Sequence, residues 1–124
     1  MSLQAVPLQA VTPISVLGTT LVFAAFLSVT AHLAARNVLG DVDPRRALYI
    51  GPLPAVIGVV GGAFSVTEAL LVPLALLVDG VMFAWSYDQP RRAVVVMTAI
   101  HAVITTLLGI IVLGIGVLLA SMPG

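Results

Sequence analysis

Long apolar runs make up most of this chain, and its few charges fall almost entirely in the gaps between them. The gaps read "RNVLGDVDPRR", "SVTE" and "SYDQPRR"; the runs are rich in Ala, Val, Leu, Ile and Gly. A helix that crosses a bilayer needs about 20 mostly apolar residues, each rising 1.5 Å. Four segments meet that length, at roughly residues 13–35, 47–66, 68–87 and 93–120. The last is long enough to need tilt or to project beyond the bilayer. Only 8% of the 124 residues are charged, against about 25% in soluble domains. A water-facing fold could not cover itself with so few. The predicted class is therefore all-α: a four-helix transmembrane bundle forming one integral-membrane domain, with the lipid bilayer as its first partner.

Arginine sets the expected orientation. Arg36, Arg45, Arg46, Arg91 and Arg92 all lie in the first and third connections, and the chain has no lysine. Positive residues beside spans stay cytoplasmic. The five arginines are thus expected to anchor the cytoplasmic helix ends, with both termini outside (N-out/C-out) in a multi-pass plasma-membrane protein. The opening stretch "MSLQAVPLQAVTP" carries no positive charge, and Arg36 follows the first run. A secretory signal has the opposite order, so the first run reads as an uncleaved span. Trp85 and Tyr87 fit an aromatic belt on the arginine side.

Two stretches match, "DPRRA" at 43–47 and "DQPRRA" at 88–93. In each, the acid is expected to cap a helix whose first residue is proline. The match predicts a duplicated helical hairpin, against the plainer alternative that any arginine-side helix start reads this way.

Lipid gives spans no hydrophobic reason to associate, so close contact relies on small residues. At 100° per residue, Ala24, Ala25, Ser28, Ala31, His32 and Ala35 share one side of the first span. Val22, Phe23, Phe26, Val29 and Leu33 share the other. Ala24 and Ser28 are therefore expected at a helix contact and the bulky face in lipid. Gly58 and Gly62 have the four-residue spacing of a small-residue contact, within the chain or between copies. In "GPLP", Pro52 and Pro54 remove donors from a helix begun at Pro44. That predicts a shielded kink or, alternatively, an opened turn lining a cavity.

Asp79 lies in the apolar run "ALLVDGVMFAW". An ionised acid at mid-span costs about 2.5–3.5 kcal/mol on insertion scales, so it must be protonated, paired or reached by water. His101 stands nine residues past Arg92, about 14 Å along its helix. Asp79 stands nine residues before Asp88, at about the same depth on an antiparallel neighbour. The two are expected to meet. His32, four residues from Arg36, is shallower at about 6 Å and could serve as a second step toward the cytoplasm. Thr98, Thr105 and Gly109 flank His101. The functional reading of Asp79, His101 and His32 is a proton or cation site; the structural one is a buried bond that fixes packing, worth about 0.6 kcal/mol on average. Glu68 is expected near the outer surface, solvated.

Other chemistry is poorly supplied. Cysteine is absent and the formal net charge is zero, which removes thiolate metal sites and any electrostatic case for nucleic acid. Haem held by His32 and His101, or a metal held by those two with Asp79, would need residues at unequal depths to converge. No nucleophile–base set, phosphate loop or HExxH is present, so neither an enzyme nor a cofactor is expected.

"AHLAARNVLGDVDPRRAL" followed by "IGPLPAV" resembles a family of small multi-pass membrane proteins from halophilic archaea. The resemblance covers the first half of the chain. It implies a compact helical fold in an archaeal plasma membrane and brings no catalytic residues. Two function classes follow from the residues: an accessory or assembly subunit, working with partner membrane subunits or copies of itself, and a small oligomeric proton- or cation-coupled transporter or channel built on Asp79 and His101.

Overall fold

The computed structural model describes residues 12–123. The opening residues 1–11, read above for their lack of positive charge, lie outside that range. Among the described residues there are four α-helices and no strand: α1 (Pro13–Leu39), α2 (Pro52–Ala63), α3 (Glu68–Tyr87) and α4 (Arg91–Ala120). A 3₁₀ segment, Pro44–Tyr49, leads into α2. Together with that segment, the helices form four stretches long and apolar enough to cross a membrane.

Local chemistry sets most of the ends. Thr12 caps α1 in a reciprocal pair with Ser15, with Pro13 in the first turn. Gly40 ends it at φ 84°, a conformation that glycine adopts without Cβ strain, and its amide bonds Arg36 O. Past α2, Ser65 takes φ 58°. Its amide bonds Gly62 O at 3.1 Å while that of Val66 bonds Gly61 O at 2.9 Å, which closes the helix in a Schellman turn.

The second apolar run is not one continuous α-helix. Asp43 accepts from the Arg45 amide at 3.0 Å and starts a 3₁₀ turn instead. Pro52 then opens α2 as its first residue, so its missing donor falls where none is needed. Ile50 and Gly51 between them stay right-handed. The GPLP stretch is thus a change of helix type rather than an unwound loop. The second matching stretch behaves differently from the first. Asp88 does not cap α4; it closes α3 at φ 51° and ψ 55°, and Pro90 is the N-cap, without a side-chain bond. The extra Gln89 in "DQPRR" moves the acid one residue too far from the helix start.

The helices form a ring in which α1 packs on α2 and α4, and α3 on α2 and α4; the diagonal pairs make no comparable contact. Each junction has its own device. A methyl placed on Gly51 would lie 2.5 Å from Ala24 O and 2.6 Å from Ser28 N, so α1 and α2 meet backbone to backbone there. Leu71 of α3 lies over Gly61 of α2, and Thr98 of α4 faces Gly80 of α3 at 3.4 Å from where a Cβ would sit. Side-chain hydrogen bonds join α4 to α1. Of the two glycines with four-residue spacing, Gly58 packs closely on α1: a Cβ there would stand 3.1 Å from the Phe23 ring edge. One at Gly62 would meet nothing within 4 Å of the same chain.

Packing is uneven along the bundle. Toward the arginines, Ala31, Ala34, Ala35, Ala47, Ile50, Phe83, Tyr87, Val94 and Met97 form a closed core. The 3₁₀ segment is tied beneath it: Ser86 Oγ donates to Arg46 O at 2.8 Å, and the Arg46 guanidinium donates back to Ser86 O. Trp85 is exposed and meets Tyr49 edge-on at 5.4 Å, whereas Tyr87 is buried in the core and does not share the belt position expected of it.

Candidate functional site

The site lies just above that core. Phe83, Asp79 and Ala75 share a face of α3 at four-residue spacing. Phe83 is fully buried and stands edge-on to the His101 ring, with centroids 5.6 Å apart. That contact holds the imidazole plane, and His101 Nδ1 hydrogen-bonds Asp79 Oδ2. The other ring nitrogen meets α1: His101 Nε2 is 2.8 Å from Thr30 Oγ1 and 3.2 Å from Leu27 O. Thr30 Oγ1 is itself 3.0 Å from Leu27 O and accepts from Thr105 Oγ1 at 3.0 Å. Asp79 and His101 are 4% and 3% exposed, and Thr30 is fully buried.

Counting donors shows what this arrangement tolerates. With a neutral ring protonated at Nδ1, that N–H donates to Asp79 and the Thr30 hydroxyl donates to Nε2. With an imidazolium, Nε2–H donates to Thr30 Oγ1 or Leu27 O, and the Thr30 hydroxyl turns to Leu27 O. Rotation of one hydroxyl lets His101 gain or lose a proton without leaving a ring nitrogen unpaired. Asp79 is less complete: its second oxygen, Oδ1, is buried without a hydrogen-bond partner.

A cavity of about 480 Å³ opens from this pair away from the arginines, lined by all four helices. Asp79, His101 and Thr105 lie at its floor, and Leu27, Phe23, Ile57 and Leu71 are among its walls. Gly58 and Gly62 also line it, where their missing side chains leave space. Val66 and Glu68, both exposed, are at its rim.

His32 is placed apart. It is half-buried on α1, its Nδ1 is buried without a partner, and it does not line the cavity. Among the described residues no three His, Cys, Asp or Glu side chains converge to hold a metal ion, so His32, Asp79 and His101 do not form one. The sequence offered no sign of Thr30 or of the Leu27 carbonyl as members of the site. Outside the spans, the Arg45 amide bond, followed by the Arg45 and Arg46 charges, holds the Asp43 carboxyl below its usual range.

These features define a small all-helical protein whose four apolar segments are long enough to cross a membrane and which holds a buried carboxylate–imidazole pair. The chain belongs to the Family of unknown function (DUF7473), whose model matches residues 10–123. No curated protein and no solved structure matches it.

Proposed function

We propose that this is an integral plasma-membrane protein with both termini outside, whose Asp79–His101 pair binds and releases a proton in the course of proton- or cation-coupled transport. The observation that carries this reading is the Thr30 hydroxyl, which gives His101 Nε2 a partner in both protonation states. A bond that only fixed packing would need one state. The arginine-side helix ends face the cytoplasm in this reading, and the cavity opens outward. Phe83, Ile50 and Met97, all fully buried, close the inner side, so transport requires a second state in which that core parts. The resemblance of the first half to small membrane proteins of halophilic archaea supports an archaeal plasma membrane in this reading.

A second reading, an accessory subunit of a larger membrane assembly, is favoured by α4. Gly109, Gly114 and Gly116 have nothing within 4 Å of a Cβ position, a surface suited to another helix. In neither reading is the protein an enzyme.

Proteoliposomes with an internal pH dye separate the two. Under the transport reading, wild-type vesicles dissipate an imposed pH gradient faster than empty ones. Asp79→Asn, with unchanged helicity and oligomer size, behaves as empty vesicles do. Wild-type protein that carries no flux and co-purifies from native membrane with another complex removes the transport reading.

A further inference from the structure

We infer that the four-helix cavity binds a small organic cation with apolar substituents, in competition with the proton at Asp79 and His101. The competition rests on the proton-site reading above; the binding rests on the cavity itself.

Charge selects the sign. The cavity's titratable side chains are Glu68 and Asp79 on α3 and His101 on α4; α1 and α2 contribute none to its lining. No arginine lines it, and Arg45, Arg46, Arg91 and Arg92 lie at the other end of their helices. Glu68 and Asp79 are eleven residues apart, three helical turns on one face and about 16 Å in rise. An acid therefore stands at the rim and another at the floor. The floor acid is 4% exposed, and its Oδ1 has no hydrogen-bond partner in the protein. A buried carboxyl oxygen with no partner is left uncompensated, and a positive charge held in the cavity offsets it electrostatically rather than by a hydrogen bond.

The walls select the kind of cation. Metal ions need several ligands, and among the described residues no three His, Cys, Asp or Glu side chains converge to hold one. Between the two acids the lining is apolar: Phe23, Leu27, Ile57, Leu71 and Val72. Such walls suit the substituents of a tertiary or quaternary ammonium, and Phe23 adds an aromatic ring. At about 480 Å³ the cavity falls within the usual range for small-molecule sites, about 300–1,000 Å³.

The test is equilibrium dialysis of full-length protein in lipid nanodiscs, with empty nanodiscs as background. The probes are benzyltrimethylammonium and its neutral carbon isostere, neopentylbenzene. Saturable binding of the cation but not the isostere is expected, weakening as pH falls. Asp79→Asn should weaken it by about tenfold or more. Gly62→Leu, placed where a side chain has open space, should fill the cavity and abolish binding even if Asp79→Asn does not fold. Equal binding of both probes, no binding, or cation binding unchanged by Gly62→Leu overturns the inference. Proton flux and the His101 ring titration, followed by ¹⁵N NMR on the same samples, report the proton site separately; they survive if only the ligand class is wrong.

Discussion

Thr30 Oγ1 lies 2.8 Å from His101 Nε2, seventy-one residues away along the chain. That contact joins the first helix to the last and gives the imidazole its second partner. Thr30→Val keeps the shape and removes the hydroxyl, leaving Nε2 of a neutral Nδ1–H ring without a donor. The variant should lose about 1–3 kcal/mol of stability, while Thr30→Ser should recover most of it. Denaturation in mixed micelles measures the loss, and ¹⁵N shifts of the ring should move toward an Nε2-protonated form in the valine variant alone. Equal stability of Val and Ser variants would count against any role for the hydroxyl.

Gly51 is where α1 and α2 touch through backbone. A methyl there would stand 2.5 Å from Ala24 O and 2.6 Å from Ser28 N, and neither can rotate away. Gly51→Ala should destabilise by about 1–3 kcal/mol. Gly62→Ala, with open space around it, should be neutral or gain up to about 1 kcal/mol from helix propensity. Thermal midpoints of the pair, taken in one detergent, decide the matter; the reverse order would mean that α2 faces its neighbours differently.

Ser65 holds φ 58° in the turn that ends α2. A side chain in that conformation costs about 1–2 kcal/mol, which glycine avoids. Ser65→Gly should raise the thermal midpoint, by an amount equivalent to about 1 kcal/mol. An unchanged or lower midpoint would show that this turn relaxes by another route.

The Asp43 carboxyl titrates below its ordinary value because it accepts the Arg45 amide, helped by the nearby arginine charges. A depressed folded value means stabilisation that is present above the unfolded value, about 3.9, and lost as pH falls through the folded one. Exchange of the Arg45 amide should therefore quicken, relative to its intrinsic rate, as the solution is acidified past that window. Asp43→Asn should show no such step. A matching step in the variant would assign the effect to another group.

Some of this architecture could be read from residue order and some could not. Four helices follow from run length, and counting depth from Arg92 and Asp88 brings His101 and Asp79 to one level, where the structure has them hydrogen-bonded. Thr30 was not legible because its direction depends on how α1 is rotated against α4, and small residues such as Ala31 and Ala34 permit more than one rotation. The glycine contacts were legible only in part. Spacing shows which glycines of a helix share a side, not which neighbour that side meets. Gly58 meets Phe23 of α1 and Gly61 meets Leu71 of α3, while Gly62 faces open space. The cavity could not be read either, since it exists only because four helices enclose it without meeting across the diagonal.

The 3₁₀ segment changes the reach of its span. At about 2.0 Å per residue instead of 1.5, Pro44–Tyr49 covers about 12 Å rather than 9. Twenty residues of plain α-helix would match a hydrocarbon layer of about 30 Å with nothing to spare. The extra length, about 3 Å, gives Pro44–Ala63 a longer reach than α3, which has the same twenty residues as plain α-helix.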